Sequence, residues 1–514
     1  MSSFRFAFIC ACFLACVLPR ETAATVAVPS LFSDHMVLQQ DLSPSIWGNA
    51  EPGEEISVTF VGETRKTCAD PQGKWKIILP APSAAGPFAM TIQGQDNCIE
   101  IHDILMGDVW VGSGQSNMEM PVWNTKNAPR ELLRANRPQI RLFTVSKHVS
   151  REPLDECEGK WFVCTPQSAS WFSAVLYYFG RDLNKALHCP IGLIHSSWSG
   201  TPAESWVSRS TLESSPNLTI MLDQLRQEDA EYPAALAVFA KEMADWTEAA
   251  NRAEARGGPA PEKPKGPDNP DNHWREAGLY NGMIHPLTQY AIRGVIWYQG
   301  ESNAERAYQY RTLFPALIHD WRAAWGQGDF PFLFVQLANF KPRLDQPGPA
   351  QWAELREAQV MALDLPNTGM AVAIDIGEAD DIHPKNKQAV AERLALNALT
   401  KTYGKRIEYS GPVLESMKTE GNKAILTFSH AKGLKAKNGP VKGFAVAGAD
   451  QHFVWADAAV KGNTVIVSSS EVTNPVAVRY GWADNPECNL YNSAGLPASP
   501  FRTDNWPGIT FDKQ

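Results

Sequence analysis

Hydrophobic and polar positions change their period several times along the chain. After an apolar run over 6–18, residues from about 25 to 105 favour short alternating segments. Ile56-Ser57-Val58-Thr59-Phe60 and Trp75-Lys76-Ile77-Ile78-Leu79 are examples, and turn residues such as Glu51-Pro52-Gly53-Glu54 separate them. Short strands at close spacing predict a small β-sandwich-like domain over 25–105. From 106 to 404 the pattern becomes continuous apolar runs, at 109–112, 192–195, 294–298, 332–337 and 370–375, with helical stretches between them. Runs of that kind are strands buried on both faces, and their alternation with helices predicts an α/β domain built on a doubly wound parallel sheet. An insertion at about 210–275 interrupts it. Leu236, Phe239, Met243 and Trp246 recur there at helical spacing, which predicts an amphipathic helix with that stripe buried. A loop rich in glycine and proline, 257–267, follows. From 405 to 514 alternation returns, as in Ala424-Ile425-Leu426-Thr427-Phe428 and Thr464-Val465-Ile466-Val467, and predicts a second β-domain.

Composition narrows the setting. The chain has 514 residues, too many for one ordinary core, with 44% hydrophobic and 20% charged residues, as in globular proteins. A net charge of −9 argues against nucleic acid or an anionic membrane surface as partner. Arg5, the apolar run, then Pro19-Arg20 and Thr22-Ala23-Ala24 read as a secretory signal peptide over 1–24, with cleavage near Ala24. The expected destination is secreted, periplasmic or lumenal. The run is too short for a comfortable membrane span, and Phe13 suits a lipid-anchor signal at Cys16 poorly. Three of the nine cysteines lie in this leader. The other six, Cys68, Cys98, Cys157, Cys164, Cys189 and Cys488, permit disulfides in an oxidising compartment, Cys68 with Cys98 and Cys157 with Cys164 being the local pairings. No Cys-x-x-Cys pair is present, so no cysteine-based zinc site is expected.

The candidate chemistry sits where apolar runs stop. Gly114-Gln115-Ser116-Asn117-Met118 follows Asp108-Val109-Trp110-Val111-Gly112, and open α/β sheets place their sites at the carboxyl ends of strands. The turn is not a Gly-x-Ser-x-Gly elbow, because Asn117-Met118 follows the serine. A serine hydroxyl needs a base to take its proton. His383, in Asp380-Asp381-Ile382-His383-Pro384 after the last apolar run, is the best candidate, since an imidazole with pKa near ~6.5 accepts and returns protons near neutrality. A carboxylate beside it fixes its tautomer. Asp380, Asp381 and Glu301, the last in Trp297-Tyr298-Gln299-Gly300-Glu301-Ser302-Asn303, compete for that place. Acids at such positions also cap helices, and at least one is expected to do only that. For the oxyanion, the Ser116 N–H and Gly200, in Ser196-Ser197-Trp198-Ser199-Gly200-Thr201, are candidate donors. A side-chain amide from Gln299 or Asn303 is a third, and Gln115 completes the oxyanion and substrate-binding set.

Gly114-Gln115-Ser116-Asn117-Met118, Trp297-Tyr298-Gln299-Gly300-Glu301-Ser302 and Asp381-Ile382-His383-Pro384 together resemble the sialate O-acetylesterases, which are SGNH-type carbohydrate esterases related to acetyl xylan esterases. Leu31-Phe32-Ser33-Asp34-His35-Met36-Val37-Leu38-Gln39 and Pro500-Phe501-Arg502-Thr503-Asp504 extend the resemblance over most of the chain. It implies an SGNH-hydrolase-like sheet flanked by N- and C-terminal β-domains. It implies a secreted serine esterase that removes O-acetyl groups from carbohydrates, O-acetylated sialic acids first, with no metal and no cofactor. Ser116 is then the nucleophile and His383 the base. Gly200 matches the family's second block, and Gln299-Gly300-Glu301 stands where the third block usually carries an oxyanion asparagine. That departure makes Glu301 a rival for the triad acid. Acetyl xylan esterase is the alternative within the class. A carbohydrate-binding protein without catalysis is the alternative outside it. Among the 17 tryptophans, Trp123, Trp198 and Trp206 lie near the motifs and suit either sugar stacking or the core.

Overall fold

The structure, a computed structural model, describes residues 25–82 and 85–513. The expected signal peptide, 1–24, lies outside the described residues. A mixed sheet organises the fold. Its main strands are β1 (Cys98–Gly114), β2 (Arg137–Thr144), β3 (Trp161–Cys164), β4 (Ile191–Ser197), β5 (Gly294–Tyr298), β6 (Phe332–Gln336) and β7 (Thr368–Val372). Their order is β7-β6-β5-β1-β4-β2-β3. All neighbours run parallel except β3, which pairs antiparallel with β2 at the edge. Every residue of β4, β5 and β6 is buried, as a parallel sheet covered on both faces requires. The covering helices pair as α2 (Ala174–Leu187) with α6 (Lys387–Lys401), and α4 (Ala307–Trp325) with α5 (Gln351–Met361). The small helix α1 (Ser116–Glu119) follows β1, and the long α3 (Pro216–Ala255) lies between β4 and β5.

The N-terminal layer is not a separate unit. Strands Glu55–Phe60, Glu63–Cys68 and Phe88–Gln93 form an antiparallel sheet whose last partner is the first half of β1. Along β1 the burial alternates at first and then becomes continuous, so one strand passes from one-sided to two-sided packing. The expected boundary at 105/106 falls inside it. One hydrophobic core accordingly runs from Val26 to Ala398 without a break. The region after 404 forms two four-stranded antiparallel sheets around a second core that includes Leu426, Phe444, Val465 and Tyr480.

Two sequence expectations are corrected here, and one strand is added. The stripe Leu236, Phe239, Met243 and Trp246 is not buried; α3 buries Leu218, Met221, Leu222 and Leu225 in its first turns instead. The glycine-proline loop runs back along its second half, where Trp246 Nε1 donates to Pro261 O at 2.9 Å, and this contact uses the apolar spacing. The six cysteines are free thiols. Cys68 and Cys98 lie on strands separated by two others, roughly 14 Å at ~4.8 Å per strand, too far for a disulfide. Cys164 instead points its Sγ at Ala135 O, 3.2 Å away. Parallel strand β2 went unseen because Arg137, Gln139 and Arg141 break its apolar run. Arg141 is buried against Asp103, with Nη1 to Oδ2 at 2.7 Å.

Candidate active site

β1, β4 and β5 are adjacent, and their carboxyl ends carry the motifs of Ser116, Gly200 and Glu301. β1 closes on Gly114 with φ +133°, where a Cβ would lie 2.2 Å from the Tyr298 carbonyl oxygen of β5. Only glycine lets the two strand ends approach this closely. Gln115 N–H then donates to Tyr298 O at 3.0 Å, and the chain turns into α1 with Ser116 as its first residue. The buried Gln115 side chain fastens the next turn. Its Oε1 accepts from Gly300 N and Ser302 N at 3.2 and 3.3 Å, and its Nε2 donates to Ser302 Oγ at 3.3 Å.

His383 comes from the far edge. β7 is three strand spacings from β1, about 14 Å, so the segment after β7 must cross back over the ends of β6 and β5. Tethers hold it there. Gly377 N–H donates to Asn339 Oδ1 at 2.7 Å, Lys341 N–H to Ala379 O at 3.0 Å, and Asn117 Nδ2 to Ile382 O at 3.0 Å. The crossing places His383 Nε2 at 2.8 Å from Ser116 Oγ. Asp381 Oδ1 accepts from His383 N–H at 2.8 Å and stands 3.7 Å from the ring Nδ1, an ion-pair contact rather than a hydrogen bond. Burial, and then the Lys387 ammonium, depress the His383 pKa below its ordinary 6.5, with Asp381 acting in the opposite direction. Burial opposes the charge of Asp381, but the His383 N–H and Lys385 outweigh it and hold its carboxyl below the ordinary value.

The other acids stand elsewhere. Asp380 is exposed. Glu301 is beneath the serine turn: its Oε1 accepts from Asn117 Nδ2 at 2.6 Å, and burial raises its pKa. The candidate amides are engaged away from Ser116. Gln299 Nε2 donates to Asn303 Oδ1 and Thr201 O at 2.6 and 3.3 Å, while its Oε1 accepts from Tyr310 OH at 3.0 Å. Asn303 Nδ2 donates to Glu204 Oε2 at 2.8 Å, and its Oδ1 accepts from Ala203 N at 2.9 Å. Both thereby pin the loop after Gly200. Gly200 has φ +76°, and its carbonyl accepts from Trp274 Nε1 and Ser302 Oγ at 2.8 and 3.1 Å. Among the described residues neither the Gly200 N–H nor the Ser116 N–H donates to a protein acceptor. The latter is an orphan donor by its place at the start of a helix.

Sequence reasoning missed Glu119, one turn after Ser116. Its Oε2 accepts from Ser199 N–H and Ser199 Oγ at 2.6 and 2.5 Å, and its Oε1 from Lys147 Nζ at 2.5 Å, tying the Gly200 turn to α1. It also missed Asn117 and Lys387. Of the three tryptophans, Trp206 is fully buried, Trp123 is exposed against Trp171, and Trp198 stacks on His273 at 5.2 Å. A cavity of about 820 Å³ opens beside Gly200 and Ser302, walled by Glu204, Glu228, Glu276 and Trp274. Burial pushes the Glu276 carboxyl up to about 7.

The geometry can do acyl transfer: a hydroxyl on an imidazole, a carboxylate behind it, and two backbone donors at strand ends. Residues 265–400 match the family model described as carbohydrate esterase, sialic acid-specific acetylesterase. The sialate O-acetylesterase of Mus musculus is 33% identical, over 92% of this chain and 93% of its own length. That of Homo sapiens is 31% identical over 93% of each. A crystal structure of a carbohydrate acetylesterase from Xanthomonas citri is 39% identical, covers 94% of this chain and all of its own, and superposes with a TM-score of 0.81. With relatives matched nearly end to end, the chain belongs to the sialate O-acetylesterase family and is a carboxylic ester hydrolase.

Proposed function

We propose that this protein is an exported SGNH-type serine esterase that removes O-acetyl groups from carbohydrates, O-acetylated sialic acids being the favoured substrates. The contact of 2.8 Å between Ser116 Oγ and His383 Nε2 carries the reading. His383 takes the hydroxyl proton as Ser116 attacks the acetyl carbonyl, and Asp381 orients the imidazole. The Ser116 and Gly200 N–H groups receive the oxyanion. The sugar alkoxide leaves with the histidine's proton, and water, activated by the same base, releases acetate and restores the serine. Similarity to the sialate O-acetylesterases over nearly the whole chain supports the sialic acid preference. One observation favours a second substrate class: besides the Glu204–Arg306 ion pair and Arg275, the cavity beside Gly200 carries Glu228, Glu231 and Glu276, and this excess of acids suits a neutral acetylated polysaccharide such as xylan better than a sugar acid.

Acetate released from O-acetylated sialic acids and from acetyl-xylan, measured side by side, separates the two substrates. Ser116→Ala and His383→Ala are each expected to lower kcat on either substrate and on p-nitrophenyl acetate by about 10³-fold or more. Undiminished turnover in Ser116→Ala would rule out this site and place the hydrolysis elsewhere in the molecule.

A further inference from the structure

Directly under the Ser116–His383 pair lies a chain of buried polar groups for which the acyl-transfer steps have no use. Asn117 is its centre. The amide Nδ2 donates to Glu301 Oε1 at 2.6 Å and to Ile382 O at 3.0 Å. On its other side, Asn117 Oδ1 accepts from Lys387 Nζ. Two acceptors against the nitrogen and an ammonium against the oxygen fix the orientation of the amide. Lys387 is completely buried, and its ammonium also lies over the Tyr298 ring, 5.2 Å from the centroid. Glu301 Oε2 is buried with no hydrogen-bond partner among the described residues. Four pieces of chain far apart in sequence meet here: the nucleophile turn, the turn after β5, the base-bearing loop and the first residue of α6.

A buried lysine and a buried acid bridged by one amide are a costly way to fill a core. Apolar side chains of similar volume usually serve stability as well or better. What the amide adds is geometry. By holding Ile382 O and the Glu301 carboxylate at once, it ties the base loop to the nucleophile turn one residue from each reacting group. What Lys387 adds is a positive charge beneath the imidazole.

We propose that Lys387, seated on the Asn117–Glu301 pair, is a positioning residue for this esterase: it locks the nucleophile turn to the base loop and holds a buried positive charge under His383. The proposal rests on the esterase reading of the Ser116–His383 pair. His383 faces Asp381 and Lys385 from its own loop and Lys387 from α6. Lys387 faces Glu301 and Tyr298 from β5 and its turn, and Lys385, Asp381 and Glu378 from the base loop. Burial draws the Lys387 ammonium down to about 7. It is therefore mostly charged in the pH range below 6.5, where His383 titrates. There it disfavours the imidazolium and keeps the base free to more acidic pH.

The test is the acid limb of kcat/KM on p-nitrophenyl acetate, together with the His383 titration followed by NMR of labelled histidine, which needs no turnover. Lys387→Met is expected to raise both midpoints by about half a unit or more and to lower kcat about tenfold with KM little changed. Lys387→Arg keeps the charge and is expected to keep the midpoint even where kcat falls. If Lys387→Met does not fold, Glu301→Gln combined with Lys387→Met removes both buried charges and is read in the same way. Midpoints unchanged from wild type in the charge-removing variant that folds would overturn the proposal. A loss of kcat without a midpoint shift would overturn it too, leaving Lys387 a packing residue. Turnover that survives Ser116→Ala would instead overturn the esterase site, and the NMR midpoint would still decide whether the charge acts on His383.

Discussion

At the scale of single residues, position relative to His383 separates the acids that sequence alone left level. Asp381 stands 3.7 Å from the imidazole, whereas Asp380 is exposed and Glu301 lies under the serine turn. Asp381→Asn is expected to lower kcat by about 10² or more, and Asp380→Asn to leave it within about twofold, both read by acetate release. Equal losses in the two would disprove the assignment. The depressed pKa of His383 has a signed consequence. The base must be neutral to accept the serine proton, so activity is retained as pH falls until the folded-state pKa is reached. The acid limb of kcat/KM is expected below 6.5, the ordinary histidine value. A limb at or above that value would show that burial and Lys387 do not act on the base as described.

Among elements, the strands were legible because their chemistry is local. Apolar runs at 109–112, 192–195 and 294–298 became the central strands β1, β4 and β5, whose ends carry the motifs of Ser116, Gly200 and Glu301. β2 was hidden by polar positions such as Arg141, whose burial depends on a distant Asp103. The apolar spacing in α3 signalled a contact but not its partner, which proved to be a loop 15 residues away at Trp246–Pro261. The site was legible to the same extent. Ser116 and His383 announced themselves by residue type and by the ends of strands, but the bridges between them did not. Asn117 meets Lys387 across 270 positions, and Glu119 meets Ser199 across 80. Neither pairing leaves a local trace. Glu119 also defines a prediction at this scale. It joins α1 to the turn after β4, so Glu119→Ala is expected to loosen Gly200 and lower kcat about tenfold, with a smaller change in KM. Unchanged kcat would mean that the Gly200 turn holds itself.

Across the whole molecule, a loop of the C-terminal region takes part in holding the segment that carries His383. Asn485 Oδ1 accepts from Asn339 Nδ2 at 2.8 Å, and Asn339 Oδ1 in turn accepts from Gly377 N–H on the segment leading to His383. Arg356 is the rivet of this junction. Fully buried, it donates to Leu337 O, Ala338 O, Ala483 O and Asp484 O at 2.7 to 2.9 Å. Burial lowers its pKa to about 10, still high enough for the guanidinium to stay charged at neutral pH. Arg356→Met strips four carbonyls of a donor and is expected to cost about 3 kcal/mol or more in urea unfolding, with esterase activity falling alongside. A stable, fully active variant would mean that water serves those carbonyls equally well. The strand Cys98–Gly114 sets a different limit at the opposite end of the chain. Because it belongs to two sheets at once, a chimera spliced near residue 105 would divide a single hydrogen-bonded ribbon between two parents. Exchange of the first hundred or so residues between relatives is therefore expected to succeed only if the crossover moves downstream past Ser116. The outer layer and Ser116 would have to move as one piece.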